Sequence, residues 1–228
     1  MTAPRLDIRR LYDQFDAPLT DFDCGLKCAL HNPRGKPFCC DICEAVPVAF
    51  HQEWAYLRQQ TALWHEWRGD ECAQSPVNPG ALRDQAPDHL VLLACLGPAS
   101  CQRPFRTLSC REFPFFPYIT SNDRFIGLAY EWEFESSCWV ISHLDCVSQV
   151  YRREFIQTYD ALFSLWEEEY ESYYALSQDM RDHFRKQKRR IPLLHRNGGY
   201  YLISPASERL RRVDPRQFPR FGVYRNFL

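Results

Sequence analysis

Eleven cysteines stand at positions 24, 28, 39, 40, 43, 72, 95, 101, 110, 138 and 146 of a 228-residue chain. Thiols at short separations are soft ligands gathered at low loop-closure cost, so the chemistry they suggest first is metal binding. Cys24, Cys28, Cys39, Cys40 and Cys43 fall within one stretch of twenty residues. The Cys40-x-x-Cys43 step is the two-ligand knuckle spacing, and Cys24-x3-Cys28 lies in the zinc-finger range while also suiting an iron-sulfur loop. Cys39 and Cys40, being adjacent, would strain around one tetrahedral ion. They are easier to use on two metals, or with one bound and the other structural. A second segment carries Cys95, Cys101 and Cys110, with Cys138 as a later candidate ligand. Pro98, Pro104, Pro114 and Pro117 break it into loop and short extended pieces, backbone of the kind that can wrap a metal. Arg103, Arg106 and Arg111 put fixed positive charge beside these thiols, which lowers thiolate pKa and offsets the charge of a thiolate-bound metal. Arg103 and Arg111 are the candidate cofactor-binding cations; Arg106 taken alone reads better as a surface side chain. Cys72 and Cys146 read as bystanders, behaving as small hydrophobes.

A disulfide framework is the competing use of so many cysteines. It needs an oxidising compartment, and Met1–Arg10 carries charges where the apolar core of a secretory signal would sit. No window approaches the roughly 20 apolar residues that span a bilayer. These features predict a cytoplasmic protein with reduced thiols and no membrane partner. A chain of this length buries about 70% of its unfolded surface and does not need staples to fold.

The two cysteine segments resemble the bacterial and archaeal cysteine-cluster family described by a CxxCxxCC motif and regarded as zinc- or iron-chelating, to which flagellin lysine N-methylase is related. The shared elements are Phe22-x-Cys24, Gly25-x-Lys27-Cys28, the vicinal Cys39-Cys40, and downstream an apolar run into Cys95, then Cys101, Arg103-Pro104 and Cys110-Arg111-x-Phe113-Pro114. The resemblance covers roughly residues 20 to 146. It departs from the family in the insertion Ala29–Phe38 before the vicinal pair and in the extra thiol Cys43, and Cys138 is the better match to the family's late cysteine. What the resemblance implies is an iron-sulfur cluster or zinc held by these thiolates, with a redox or lysine-modifying role on a protein partner as an extension. No glycine-rich nucleotide loop accompanies it.

Hydrophobic periodicity outlines the scaffold around these thiols. Phe50, Trp54, Leu57, Thr61 and Trp64 recur at helical steps and predict one helix over Ala45–Arg68, with Pro47 in its first turn and Gly69 past its end. His51, His65 and Glu66 lie on or beside it, where a core or solvated role outweighs ligation. Aromatic alternation predicts a strand within Arg124–Phe134 with Glu131 and Glu133 on the outer face. A helical pattern runs from about Val147 to Lys188, its apolar face carried by Val150, Phe155, Leu162, Trp166, Tyr170, Tyr173, Tyr174, Met180 and Phe184. Its length allows two helices meeting near Glu167. Ile191–Ser204 reads as a β-hairpin turned at Asn197-Gly198.

The expected class is α+β: a cysteine-rich irregular metal-binding core packed by helices, with a long C-terminal helix and a small β-hairpin. The expected regions are 1–146 for the cysteine cluster, 147–190 for the long helical segment and 191–228 for a basic hairpin and tail. The formal net charge of −1 conceals a bipolar chain, because residues 181–228 hold 13 Lys and Arg against three Asp and Glu. Arg209, Arg211, Arg212, Arg216, Arg220 and Arg225, interleaved with aromatic residues, could contact nucleic acid in a non-catalytic, metal-stabilised binding module. Folding back on the chain's own acidic half is the reading preferred for them. No Ser-His-Asp set, phosphate loop or paired-carboxylate spacing stands out, and whether the protein is an enzyme is left open.

Overall fold

A computed structural model of the chain describes residues 7–72 and 78–226. Helices and antiparallel sheets are mixed, and the chain divides into two compact units. One takes in the described residues up to Asp13 and then Asp23–Phe113; the other takes Gln14–Phe22 and the chain from Pro114 on. Residues 114–146, grouped by sequence with the cysteine region, thus pack with the second unit.

The first unit contains α1 (Ile8–Gln14, all but its last residue), α2 (Gly25–Ala29), β1 (Val48–Phe50), α3 (His51–Gln60), β2 (Trp64–Glu66), α4 (Pro79–Gln85), β3 (Leu90–Cys95) and α5 (Leu108–Glu112). β3 is the middle strand. Its first half pairs with β1, Val48 opposite Leu92, and its second half with β2, Trp64 opposite Cys95. An uninterrupted apolar run, Leu-Val-Leu-Leu-Ala-Cys, suits a strand flanked on both edges. The single helix expected over Ala45–Arg68 is therefore three elements. Only His51–Gln60 is helical, because the backbone on either side hydrogen-bonds to β3 instead of to its own preceding turn. Thr61 ends the helix in extended geometry, and the buried helical positions are Glu53 and Leu57.

Glu53 is the polar centre of this unit. Its Oε1 accepts from the Tyr12 hydroxyl at 2.6 Å and from the Leu108 amide at 2.7 Å, and its Oε2 accepts from the Phe50 amide at 3.2 Å. One carboxylate thereby joins α1, the start of α3 and the start of α5. Burial pushes this carboxyl up to about 6, although all three hydrogen bonds and the charge of Arg111 favour its ionised form. Burial and the carboxylate beside it push the Tyr12 hydroxyl up as well, so Tyr12 stays a donor.

The second unit contains β4 (Phe115–Ile119), β5 (Phe125–Tyr130), α6 (Gln149–Leu165), α7 (Glu167–Lys186), β6 (Ile191–His195), β7 (Tyr200–Ile203) and β8 (Leu210–Arg212). The five strands form one sheet in the order β4-β5-β6-β7-β8. Pro117 is tolerated because β4 is an edge strand. Pro192 is tolerated because β6 pairs with β5 only through His195 and Leu194. Gly127 lies opposite His195 at φ +154°, and a Cβ there would stand 2.3 Å from the Leu194 carbonyl oxygen, so only glycine permits that approach. The expected strand ends at Tyr130; Trp132–Phe134 is a single 3₁₀ turn. Glu133 is exposed as expected and Glu131 half-buried, where burial and then the charge of Glu133 raise its carboxyl to about 7.

The long helical pattern is two helices that part at Trp166, whose extended backbone ends one and caps the next. Ser148 caps α6 by accepting from the Tyr151 amide at 3.1 Å. Phe155, Leu162, Met180 and Phe184 are fully buried, and the aromatic face is core: Tyr159 meets Phe155, Phe163 and Tyr173 at ring separations of 4.7 to 5.6 Å. Val150, assigned to that face by spacing, is exposed. The Asn-Gly hairpin forms as expected but lies inside the five-stranded sheet, so the helical segment is followed by three strands. Among the described residues, no helix is long and apolar enough to cross a membrane.

Because the folded carboxyl of Glu53 titrates above the ordinary value of 4.5, folding favours its protonated form. Its contribution is fully present below about pH 4.5 and is lost as pH rises through about 6. The stability of the protein relative to Glu53→Gln should therefore fall by about 2 kcal/mol between pH 4 and pH 7 in paired urea titrations. Tyr12→Phe removes a hydrogen bond to a charged group and should cost about 1.5–3 kcal/mol at neutral pH.

Candidate metal centre

The site lies in the first unit, on three short pieces of backbone. Cys24 precedes α2, and Cys28 sits on it one turn later. α2 runs close beneath Pro37: a Cβ on Gly25 would stand 2.9 Å from the proline Cγ, so the glycine sets how near the helix comes to the following loop. Cys39 and Cys40 come next in a 3₁₀ turn, Phe38–Cys40. The residue after them, Asp41, organises that turn from below. It accepts from Asn32 Nδ2 at 2.9 Å and from the Cys43 amide at 3.2 Å, and it pairs with Arg34. Burial pushes the Asp41 carboxyl up, but these hydrogen bonds and the arginine outweigh it and hold the group below the usual carboxylate range.

The second piece is the end of β3 and the turn after it. Cys95 closes the strand, and Gly97 at φ +92° and ψ 176° takes a conformation that is essentially glycine's own. That turn swings the chain into Cys101. The third piece is α5, capped by Thr107, whose Oγ1 accepts from the Cys110 amide at 3.2 Å. With the Leu108 amide held by Glu53, the first turn of α5 is fixed at both its cap and its core contact.

These pieces bring Cys40 within electrostatic reach of thiols from both segments. Its thiol lies 3.9 Å from that of Cys39, and its charge bears on Cys28, Cys95, Cys110 and Arg106. Hydrogen bonding to Cys39 brings the Cys40 thiol down to about 7; burial opposes this and Arg106 assists it. The surrounding thiols move the other way. Burial raises Cys28 and Cys95 and pushes Cys110 up to about 12, with the charge of Cys40 adding to all three. Arg106 is the cation of the site, its Nε donating to Cys101 Sγ at 3.1 Å. At neutral pH one sulfur is thus poised to ionise among several that are not, beside a guanidinium that offsets the charge.

Of the expected ligands, Cys28, Cys39, Cys40, Cys95, Cys101 and Cys110 are thiols outside any disulfide and linked in this way, and Cys24 is a half-buried thiol outside any disulfide, one helical turn from Cys28. Cys43 departs from the expectation. It is joined to Cys72 by a disulfide across 29 residues, so it offers no thiolate and Cys72 is not a bystander. Cys138 and Cys146 belong to the second unit. Arg111 donates to the carbonyls of Arg106, Tyr12 and Pro104 and lies 4.2 Å over the Tyr12 ring. Arg103 is exposed. Arg106, read from sequence as surface, is the arginine that hydrogen-bonds a cysteine sulfur. Its five-residue spacing from Cys101 was the available signal, and only the turn between them shows which arginine faces the sulfur. His51 Nε2 is engaged at 2.9 Å with the Asp88 carbonyl, and Glu66 accepts from Trp54. Among the described residues, no group of three or more His, Cys, Asp and Glu side chains stands arranged to hold a metal ion.

Alkylation followed by mass spectrometry should find Cys40 half-reactive near pH 7 and Cys110 protected until the protein unfolds. Cys39→Ala should shift the Cys40 midpoint upward by more than Arg106→Leu does, since the hydrogen bond is the larger influence. Compared with protein-family models, with curated proteins and with solved structures, the chain matches none.

Proposed function

We propose that the first unit is a thiolate metal-binding module, with Cys40 at the centre of a donor set drawn from Cys28, Cys39, Cys95, Cys101 and Cys110 and with Arg106 as its counter-charge. The observation that carries this reading is that Arg106, hydrogen-bonded to Cys101 at 3.1 Å, and the vicinal pair Cys39-Cys40, 3.9 Å apart, bear on thiols of both cysteine segments, more than fifty residues apart in sequence. The donor chemistry fits a thiophilic centre, zinc or an iron-sulfur cluster. Free thiolates are soft ligands, and the nearby guanidinium compensates the negative charge that several of them bring. Uptake asks the thiols to move beyond the arrangement they have here, and it releases protons from those held high by burial. When bound, zinc would supply a structural cross-link and an iron-sulfur cluster would supply one-electron chemistry.

The test is metal analysis and an absorption spectrum on protein purified without oxygen. Stoichiometric zinc, or iron with absorption near about 400 nm, is the expected result. Cys40→Ala and Cys95→Ala should lose the metal while Cys146→Ala keeps it. A folded, metal-free protein that takes up neither zinc nor iron on reconstitution would overturn the proposal.

A further inference from the structure

The basic C-terminal segment spends its charges unevenly. Its three carboxylates are each held by an arginine of the same segment: Asp182 by Arg185, Glu208 by Arg181 and Asp214 by Arg216. Two further arginines reach acids elsewhere in the second unit, Arg189 to Glu135 and Arg196 to Asp160. Folding back on acidic residues therefore accounts for only part of the positive charge. Among the described residues, Arg190, Arg209, Arg211 and Arg212 make no ion pair and are all exposed.

The sheet gathers these four at one corner, Arg212 on the opposite face of β8 from Arg209 and Arg211. β8 is an edge strand, hydrogen-bonded to β7 on one side only. Arg209 leads into it, and its carbonyl accepts from the Ser204 amide at 3.1 Å. Ile191 faces Ile203, which faces Leu210. Arg190 and Arg209, the residues before Ile191 and Leu210, consequently lie at the same end of the sheet, two strands or about 10 Å apart. Arg209 and Arg211 share one face of the strand about 7 Å apart, and Arg212 lies on the other face opposite Tyr201. Glu208 fixes the turn that presents this cluster. It stands at φ +50°, and its carboxylate is held by the Ser121 amide at 3.0 Å, the Tyr118 hydroxyl at 3.3 Å and Arg181 at 3.2 Å.

We propose that this corner of the sheet, the β8 edge with Arg209, Arg211 and Arg212 and the neighbouring Arg190, binds the phosphate backbone of single-stranded nucleic acid without regard to base sequence. Guanidinium forks match phosphate oxygens in geometry and remain charged at every physiological pH. A cluster of arginines outside any ion pair, in a segment whose own carboxylates other arginines already neutralise, suits a run of phosphates passing along the edge. The partner is independent of any metal, so its absence would leave the thiolate reading untouched.

The experiment is fluorescence anisotropy of the full-length protein with a labelled 20-nucleotide strand, over a salt series. Four phosphate contacts predict a slope of log K against log salt of about −3, or roughly a 50-fold loss of affinity between 50 and 200 mM salt. Replacing Arg209, Arg211 and Arg212 by serine should bring the slope to about −1, and Arg153→Ser, an exposed cation on α6, should leave it unchanged. Arg211→Glu with Arg212→Glu keeps the edge charged and should abolish binding if the serine variant is poorly behaved. Absence of binding at 50 mM salt, equal binding by the variants, or equal affinity for polyglutamate would overturn the proposal, the last by showing a general acidic-protein surface.

Discussion

The first unit hangs on a buried carboxylate. Glu53 gathers three hydrogen bonds from three separate parts of the chain, joining the N-terminal helix, the β1–α3 junction and the cysteine-bearing α5. An ionised group in that position is costly to desolvate, which is why its carboxyl rises despite every neighbour favouring the charge. The arrangement holds because each donor would be left unsatisfied in an apolar site if the carboxylate were absent. For the thiols the effect is positional. α5 is only five residues long, too short to be stable alone, so the place of Cys110 is inherited from Glu53 and Thr107.

A similar economy operates around Cys40. The vicinal pair sits in a single 3₁₀ turn that would have little persistence by itself, and Asp41, Asn32 and Arg34 support it from outside. Rigid supports of this kind are what allow one thiol to differ from its neighbours. If the surrounding loop were free, water would reach all the sulfurs alike and their acidities would converge. Instead the hydrogen bond to Cys39, assisted by Arg106, brings Cys40 down to about 7 against burial, while burial pushes Cys110 up to about 12.

How much of this could be read from the residues depends on the distance over which each feature is decided. The α6–α7 break was legible because the pattern exceeded the usual helix length, and the hairpin because Asn-Gly is a local signal. The 45–68 segment misled because Phe50, Trp54 and Leu57 have helical spacing while Trp64, seven residues on, keeps that spacing inside a strand. The deciding partner, β3, lies some thirty residues away. The cysteine spacings pointed to the thiols that bear on one another, but they could not separate Cys43, whose partner Cys72 lies across 29 residues, from its neighbours. Nor could they sort three arginines whose directions are set by the turns of one short loop.

The open edge at β8 carries one more consequence. An exposed strand with a bare hydrogen-bonding side is a template on which a second copy of the same strand can pair, and β8 includes an exposed leucine, Leu210, that would favour it. Arg209, Arg211 and Arg212 surround that leucine with like charge, so two such edges repel before they meet. The charges beside this unfinished edge thus oppose its pairing with another such edge, an effect that weakens as salt screens them.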